Sequence, residues 1–435
     1  MREASIRSFG VVVSFGCFAG LSCADGPNVD PGEVDCGSLC RLLDGGTDAG
    51  TGAVADSGAR ADAGAVADAG AGAGTVSVAD AGPDSGATPA AVVWKRQFGT
   101  LYPDFGRGAA VDSSGNIYVT GYTTFGGLDG NTNVGRSDMF LVKFDGDGGK
   151  RWTRQFGTSS DDEGQGVAVD LSGNIYVTGT TNGALDGNTS AGGSDMFLVK
   201  YDSDGGKRWT RQLGTAGDDY GYGLVVDLSG NIYVAGTTYG GLDGITSAGG
   251  SDMFLVKYDR NGGKVWTRQF GRDDEDRGYG VAVDANGNIY VTGYVSGWPF
   301  GDSLLGGKDI FLVKYGGDGA RIWNRELGTT LSDRGFGVAV HASGNIYVTG
   351  FTEGGIDGNA NAGGSDVFLA NYDTDGGKRW TRHFGTASND YGYGVAVDVR
   401  GNIYVTGATS GVLDGNTRAG DFDIFVAKFD VDGEQ

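Results

Sequence analysis

Six tryptophans, Trp94, Trp152, Trp209, Trp266, Trp323 and Trp380, recur at a step of 58 residues and then of 57 four times over. A fixed step of this length makes residues 92–435 one supersecondary unit copied six times, so the fold of the unit dictates the fold of the chain. A seventh tryptophan, Trp298, stands outside the register. The copy beginning at Trp152 reads WTRQFGT, DEGQGVAVD, LSGNIYVTGTT, GALDGNTSAGGSD and MFLVKYDSDGGKR. Four short runs rich in Val, Ile, Phe, Tyr and Trp stand out at 151–156, Val167–Val169, Asn174–Thr178 and Met196–Tyr201. Each is bounded by Gly, Asn and Asp, which marks strands. No segment repeats apolar residues at helical spacing over ten residues.

The connections favour antiparallel hairpins. Asp170-Leu171-Ser172-Gly173-Asn174 and Asp202-Ser203-Asp204-Gly205-Gly206 supply the residues that tight turns with positive φ need. Four antiparallel strands per copy in tandem predict an all-β fold: a six-bladed β-propeller of four-stranded antiparallel blades. Gly166 and Ala168 keep the second run small, as an innermost strand must be where blades converge. The tryptophans are expected as wedges between blades. The chain opens on a Trp run (Val92–Phe98) and stops one step short of a seventh, leaving Val395–Val397, Asn402–Thr406 and Ile424–Phe429 without an outer partner. The phase therefore predicts a ring closed by the N-terminal outer strand, which removes exposed sheet edges. A β-helix is the competing fold, but 57 residues with two hairpins is long for one coil.

The pattern W-x-R-Q-F-G-T … G-V-A-V-D-x-x-G-N-I-Y-V-T-G … G-G-S-D-M-F-L-V-K-Y-D resembles the bacterial beta-propeller repeat called SBBP, over essentially all of 92–435. The resemblance implies export and a propeller, commonly in surface or secreted proteins, with no agreed catalytic residues. Its name refers to seven blades, and this chain has six copies.

Residues 1–23 read as an export signal: Arg2 and Arg7, then an apolar stretch Phe9–Leu21 too short to span a bilayer. Its end, Gly20-Leu21-Ser22-Cys23, is similar to a bacterial lipobox and makes Cys23 the expected site of lipidation. Gly20 stands where such a motif usually has leucine. Cys36 and Cys40 could pair in an oxidising compartment. Residues 24–91, and Asp44–Ala91 above all, lack the apolar content to offset chain entropy, so a disordered tether is expected. Its mean span is about 45 Å, from roughly 5–6 Å × √n.

A formal charge of −22 opposes nucleic acid and anionic lipid head groups, leaving the lipid as the one route to a membrane. The charge favours a cation or a basic surface as partner. Asp104, Asp162, Asp219, Asp276, Asp333 and Asp390 each open a D-x-G-x-G before the inner strand. They either fix their own loops through backbone N–H groups, the leading reading, or line a channel as ligands. The loop containing Asp129, Asn131 and Asp138 offers hard oxygens, so calcium is a candidate cofactor there; no EF-hand pattern is present and Asx-turns explain the same residues. No other cofactor is expected.

The fourth copy departs from the others. It replaces L-D-G-N with Ser296-Gly297-Trp298-Pro299-Phe300-Gly301-Asp302 and carries the acidic run Asp273-Asp274-Glu275-Asp276. Trp298, Phe300, Asp273, Asp274, Glu275 and Asp276 are therefore the ligand-binding candidates. No catalytic residue is assigned: His341 and His383 look like drift within the repeat, and no nucleophile elbow, zinc motif or phosphate loop occurs. The sequence thus predicts a monomeric surface or secreted binding or scaffold module, not an enzyme, whose partner is an extracellular protein or polysaccharide. A hydrolase or lyase acting on extracellular polysaccharide through the acidic face is the alternative.

Overall fold

The computed structural model describes residues 96–296, 307–413 and 421–433, together with the backbone of the two-residue strand Phe15–Gly16. The chain divides into two compact units, Met1–Cys17 with Ala71–Gln435, and Phe18–Gly70, the second lying wholly outside the described residues. The expected export signal, Cys23 and the expected tether therefore fall outside the description, Phe15–Gly16 apart.

In blade 2 the strands are Asp162–Val169, Ile175–Thr181, Asp195–Tyr201 and Lys207–Leu213, each antiparallel to the next in sequence order. The innermost strands of blades 1, 3, 4, 5 and 6 are Asp104–Val111, Asp219–Val226, Arg277–Val283, Asp333–Val340 and Asp390–Val397. Successive innermost strands pack against one another from blade 1 to blade 6. Blades 1–5 have four antiparallel strands of their own, blade 1 with Phe15 added opposite Ala109 at its inner edge. Blade 6 has three strands among the described residues. The fold is a six-bladed β-propeller, as the period predicts.

The core lies between blades. Ala168, Tyr176, Met196 and Leu198 of blade 2 meet Leu224, Ile232, Val234 and Phe254 of blade 3, with Trp209 against the cluster. Trp209 is a wedge in the expected sense: a side chain at Gly262 of the next blade would come within 3.0 Å of its ring. Arg211 lies over that ring at 5.0 Å and donates from Nε to Gly262 O (2.7 Å) and from Nη2 to Asn261 O (3.3 Å). Arg154, Arg268, Arg325 and Arg382 repeat this clamp onto Gly205, Gly319, Gly376 and Gly433. Each clamp ties an outer strand to a turn of the following blade.

At the sixth junction the expected closing strand Val92–Phe98 lies partly outside the described residues, and residues 96–100 carry no strand pairing. The segment does make outer-strand contacts with blade 1. Arg96 donates from Nε to Gly148 O (2.6 Å), and Phe98 packs on Phe140 and Phe144 at 5.8 and 5.6 Å. On the blade 6 side, Ile424 and Val426 are 50% and 48% exposed, whereas their blade 2 counterparts Met196 and Leu198 are fully buried. Among the described residues no element covers that face as blade 3 covers blade 2.

Replacing Arg268 by alanine removes three bonds to backbone carbonyls, two of them to the next blade, and the stacking on Trp266, for an expected loss of about 1–3 kcal/mol. Arg96→Ala should cost the same in a urea midpoint if residues 96–98 complete the ring. A midpoint unmoved by Arg96→Ala would show the segment to be idle.

Candidate functional site

The innermost strands of blades 1–4 approach the next blade so closely that a side chain is excluded at the second glycine of G-x-G. A Cβ at Gly108, Gly166, Gly223 or Gly280 would stand 2.9, 2.7, 2.3 or 2.7 Å from the carbonyl oxygen of Gln165, Tyr222, Tyr279 or Phe336 in the next blade. In all six blades the register slips between the two glycines of G-x-G, leaving the residue between them unpaired. This is a β-bulge, which bends the strand and re-aims one side chain. The residues so presented are Arg107, Gln165, Tyr222, Tyr279, Phe336 and Tyr393. Four of them touch in sequence around the axis: Tyr222–Tyr279 at 5.1 Å, Tyr279–Phe336 at 5.0 Å and Phe336–Tyr393 at 5.6 Å.

Two positions earlier a second variable set begins each inner strand: Phe105, Glu163, Tyr220, Arg277, Arg334 and Tyr391. Arg277 pairs across the strands with Tyr294, and Arg334 with Phe351. Aromatic contacts join the two sets, with Tyr220 parallel to Tyr222 (6.0 Å, 9°) and Tyr391 to Tyr393 (6.1 Å, 15°). Three guanidinium groups lie among these rings. Arg107 sits over Phe105 and Tyr122 at 5.6 and 5.3 Å, Arg334 over Tyr294 and Phe351 at 5.0 and 5.6 Å. Arg277 donates to Tyr239 Oη (3.2 Å) and faces Glu275 at 3.7 Å. Burial pushes the Glu163 carboxyl up against the pull of Arg107. An invariant scaffold thus carries a blade-specific ring of aromatic and charged groups.

The six D-x-G-x-G aspartates all make a loop-fixing contact. Each carboxylate accepts the backbone N–H four residues upstream, as in Thr158 to Asp162 (2.5 Å) and Thr329 to Asp333 (2.6 Å). They are also crowded. Asp252 and Asp276 flank Gly271, where a Cβ would lie 2.1 Å from one carboxylate and 2.8 Å from the other. Burial, and after it the charges of Asp252 and Asp274, push Asp276 up to about 7 against two backbone hydrogen bonds from Arg272 and Ser296.

The rest of the acidic run is split. Asp273 and Asp274 are exposed, while Glu275 reaches Tyr294 Oη (3.4 Å) and Lys308 Nζ (3.5 Å) at the edge of the axial ring. Trp298 and Phe300 lie outside the described residues, within 297–306.

The L-D-G-N loops are latches. Leu128 is buried, Asp129 has φ 51°, and its carboxylate accepts Lys150 Nζ and Thr153 Oγ1, both at 2.5 Å. Burial raises the Asp129 pKa, but these two donors hold it below the usual range. Asp186, Asp243 and Asp357 repeat the arrangement with Lys207, Lys264 and Lys378. In blade 4 the latch aspartate is missing, and the equivalent lysine and threonine are Arg321 and Asn324. Asn131 Nδ2 donates to Leu128 O (2.7 Å), and Asp138 accepts Val134 N (2.8 Å) and Gly135 N (3.1 Å). Asp129, Asn131 and Asp138 are thus each engaged by protein groups. Among the described residues no three His, Cys, Asp or Glu side chains gather as metal ligands. His341 keeps its turn through Nδ1 and Ser343 Oγ (2.8 Å), and both ring nitrogens of His383 are buried without a hydrogen bond.

Sequence reasoning missed the bulge ring. The constant aspartate of D-x-G-x-G draws the eye in the sequence, whereas the two x positions, which vary among the blades apart from the Tyr-Tyr pair shared by blades 3 and 6, supply the axial side chains. Variation inside an otherwise fixed motif was the signal.

The beta-propeller repeat model SBBP matches residues 93–129, 151–185, 208–243, 265–300 and 379–414. The chain is 29% identical over 192 residues to the regulatory protein FlaEY of Caulobacter vibrioides, covering 39% of this chain and 20% of that protein. It is 22% identical over 434 residues to an uncharacterized WD repeat-containing protein of Acanthamoeba polyphaga mimivirus, covering 74% of this chain and 31% of that protein. The chain thus spans less than a third of the length of these curated relatives. Among solved structures it is similar to a gluconolactonase from Xanthomonas campestris, at 15% identity and a TM-score of 0.37 over 71% of this chain and 85% of the other.

A carboxyl whose pKa is raised on folding stabilises the fold below its unfolded value, near 4, and that contribution disappears as pH rises through about 7. The urea midpoint should therefore fall between pH 4 and 7.5, and Asp276→Asn should flatten part of that fall. An identical pH slope in wild type and Asp276→Asn would contradict the assignment.

Proposed function

The chain is a β-propeller of the SBBP repeat family, and on that premise we propose that it is an exported binding module whose ligand is taken at the axial ring. One observation carries the reading. Strand, turn, clamp and latch positions recur in nearly every blade, while the two x positions of D-x-G-x-G take five different pairs in six blades, only blades 3 and 6 sharing Tyr-Tyr. Residues that close a scaffold tolerate little change; residues that recognise a partner must be individual, and ring symmetry is broken at these axial positions as it is in the blade 4 loop. Partly buried Tyr220, Arg277, Arg334 and Tyr391 offer an aromatic and guanidinium surface of the kind that dominates binding energy. Export and a lipid at Cys23 would present this face outside the cell on its tether. The partner is an extracellular protein or polysaccharide.

The full chain, expressed in a bacterium that exports it, should retain cell-surface material in a pull-down. Tyr220→Ala or Arg334→Ala should reduce that capture at least tenfold. Arg208→Ala, an exposed residue of an outer strand, should leave it unchanged. Capture indifferent to the axial variants would move the site elsewhere. Cys23→Ala should release the protein from the membrane fraction; continued membrane association would contradict the anchor.

A further inference from the structure

Among the described residues, the clamp arginines Arg96, Arg154, Arg211, Arg268, Arg325 and Arg382 all donate to main-chain carbonyls of a neighbouring turn. The axial arginines are different. Arg334 lies on the faces of Tyr294 and Phe351, and its Nε is buried without a hydrogen-bond acceptor. Arg107 is nine-tenths buried, its Nη2 donates to Tyr122 Oη (3.2 Å), and its Nε likewise has no acceptor. A buried guanidinium donor without an acceptor is costly, and the strongest partner for it is a planar anion that takes two parallel N–H bonds. Glu163, which feels the charge of Arg107, accepts a hydrogen bond from Gln165 Nε2 (3.1 Å), and Glu275 faces Arg277 and Lys308.

We propose that the axial ring binds an acidic saccharide. Its carboxylate or sulfate is held by Arg334, with Arg107 as a second anchor, and its sugar ring lies on the partly buried tyrosines Tyr220 and Tyr391. The proposal rests on the axial binding reading above and names its ligand class. A pyranose has an apolar C–H face that suits an aromatic ring, and the tyrosine hydroxyls supply hydrogen bonds at the edge. The rigid tyrosine pairs, 6.0 and 6.1 Å apart and nearly parallel, favour a flat ring over a flexible acidic peptide. The surrounding charge of −22 works against polyanions in general. At physiological salt its reach is about 8 Å, so only an anion seated at the axis escapes it through contact with the arginines. Selectivity against nonspecific polyanions follows.

The test uses the full chain and four immobilised probes: polygalacturonate, heparin, neutral dextran and poly-glutamate. Binding to polygalacturonate or heparin, absent on dextran and on poly-glutamate, is expected. Arg334→Gln should weaken it at least tenfold with a melting temperature close to wild type, and Arg334→Lys should restore part of the loss. Arg107→Gln should act in the same direction as a second, independent variant. Binding to poly-glutamate or dextran equal to that of the acidic sugars would overturn the proposal. So would saccharide binding untouched by both arginine variants. If cell-surface capture still depends on Tyr220 while neither acidic saccharide binds, the ligand class fails and the axial binding reading stands. If capture ignores the axial variants altogether, that reading fails first.

Discussion

The close approach of the innermost strands governs this molecule. Blades that converge on an axis leave no room for a Cβ where Gly223 faces the Tyr279 carbonyl, at 2.3 Å, or where Gly166 faces Tyr222 O, at 2.7 Å. Glycine is required there by distance rather than by backbone freedom. The same constraint produces the bulge, because a strand that hugs its neighbour at one glycine and pairs with its own blade at the other cannot keep register through both. The bulge then re-aims one residue per blade, and that residue is free to differ. The glycine that packs against the next blade and the variable axial residue are neighbours in the sequence.

Around this centre, stability is assembled from repeated local devices. An arginine stacked on the wedge tryptophan reaches across to the turn of the next blade, and in blades 1, 2, 3 and 5 an aspartate latch holds the long loop to the lysine and threonine of its own outer strand. The latch pairs are half-exposed, so each ion pair contributes little by itself; its role is to fix the loop geometry around an aspartate with positive φ. The inter-blade cores do the larger part through burial of Tyr176, Leu198, Ile232 and Phe254 and their counterparts. Blade 4, which lacks the latch aspartate, also lacks the lysine and threonine that would receive it. Its loop change is therefore matched in its own outer strand.

Much of this was legible in the residues. The tryptophan step gave the repeat, the Asp/Asn/Gly turns gave the hairpins, and the small residues of G-V-A-V pointed to the axis. The loop-fixing reading of the D-x-G-x-G aspartates follows from the side-chain preference of Asp for backbone N–H groups and needs no tertiary knowledge. The axial ring was not legible by the same route, because a bulge depends on how close the neighbouring blade comes. Only that distance turns Arg107, Tyr222 or Phe336 from an ordinary strand residue into an axial one. The sequence singles out instead Trp298 and Phe300, which lie outside the described residues, and the acidic run, of which Glu275 alone reaches the ring. Closure belongs to the same class. The contacts of Arg96 and Phe98 agree with it on the blade 1 side, while Ile424 and Val426 remain uncovered on the other.

The claim that inter-blade proximity sets the architecture is tested most directly at Gly223. Gly223→Ala places a methyl against a backbone carbonyl that cannot rotate away, and overpacking of this kind costs about 1–3 kcal/mol or more. Its stability should be compared by urea denaturation with that of Gly106→Ala, where a Cβ meets nothing within 4 Å. The account predicts a loss of at least about 2 kcal/mol for Gly223→Ala and a change within about 1 kcal/mol for Gly106→Ala. Equal midpoints for the two variants would contradict it.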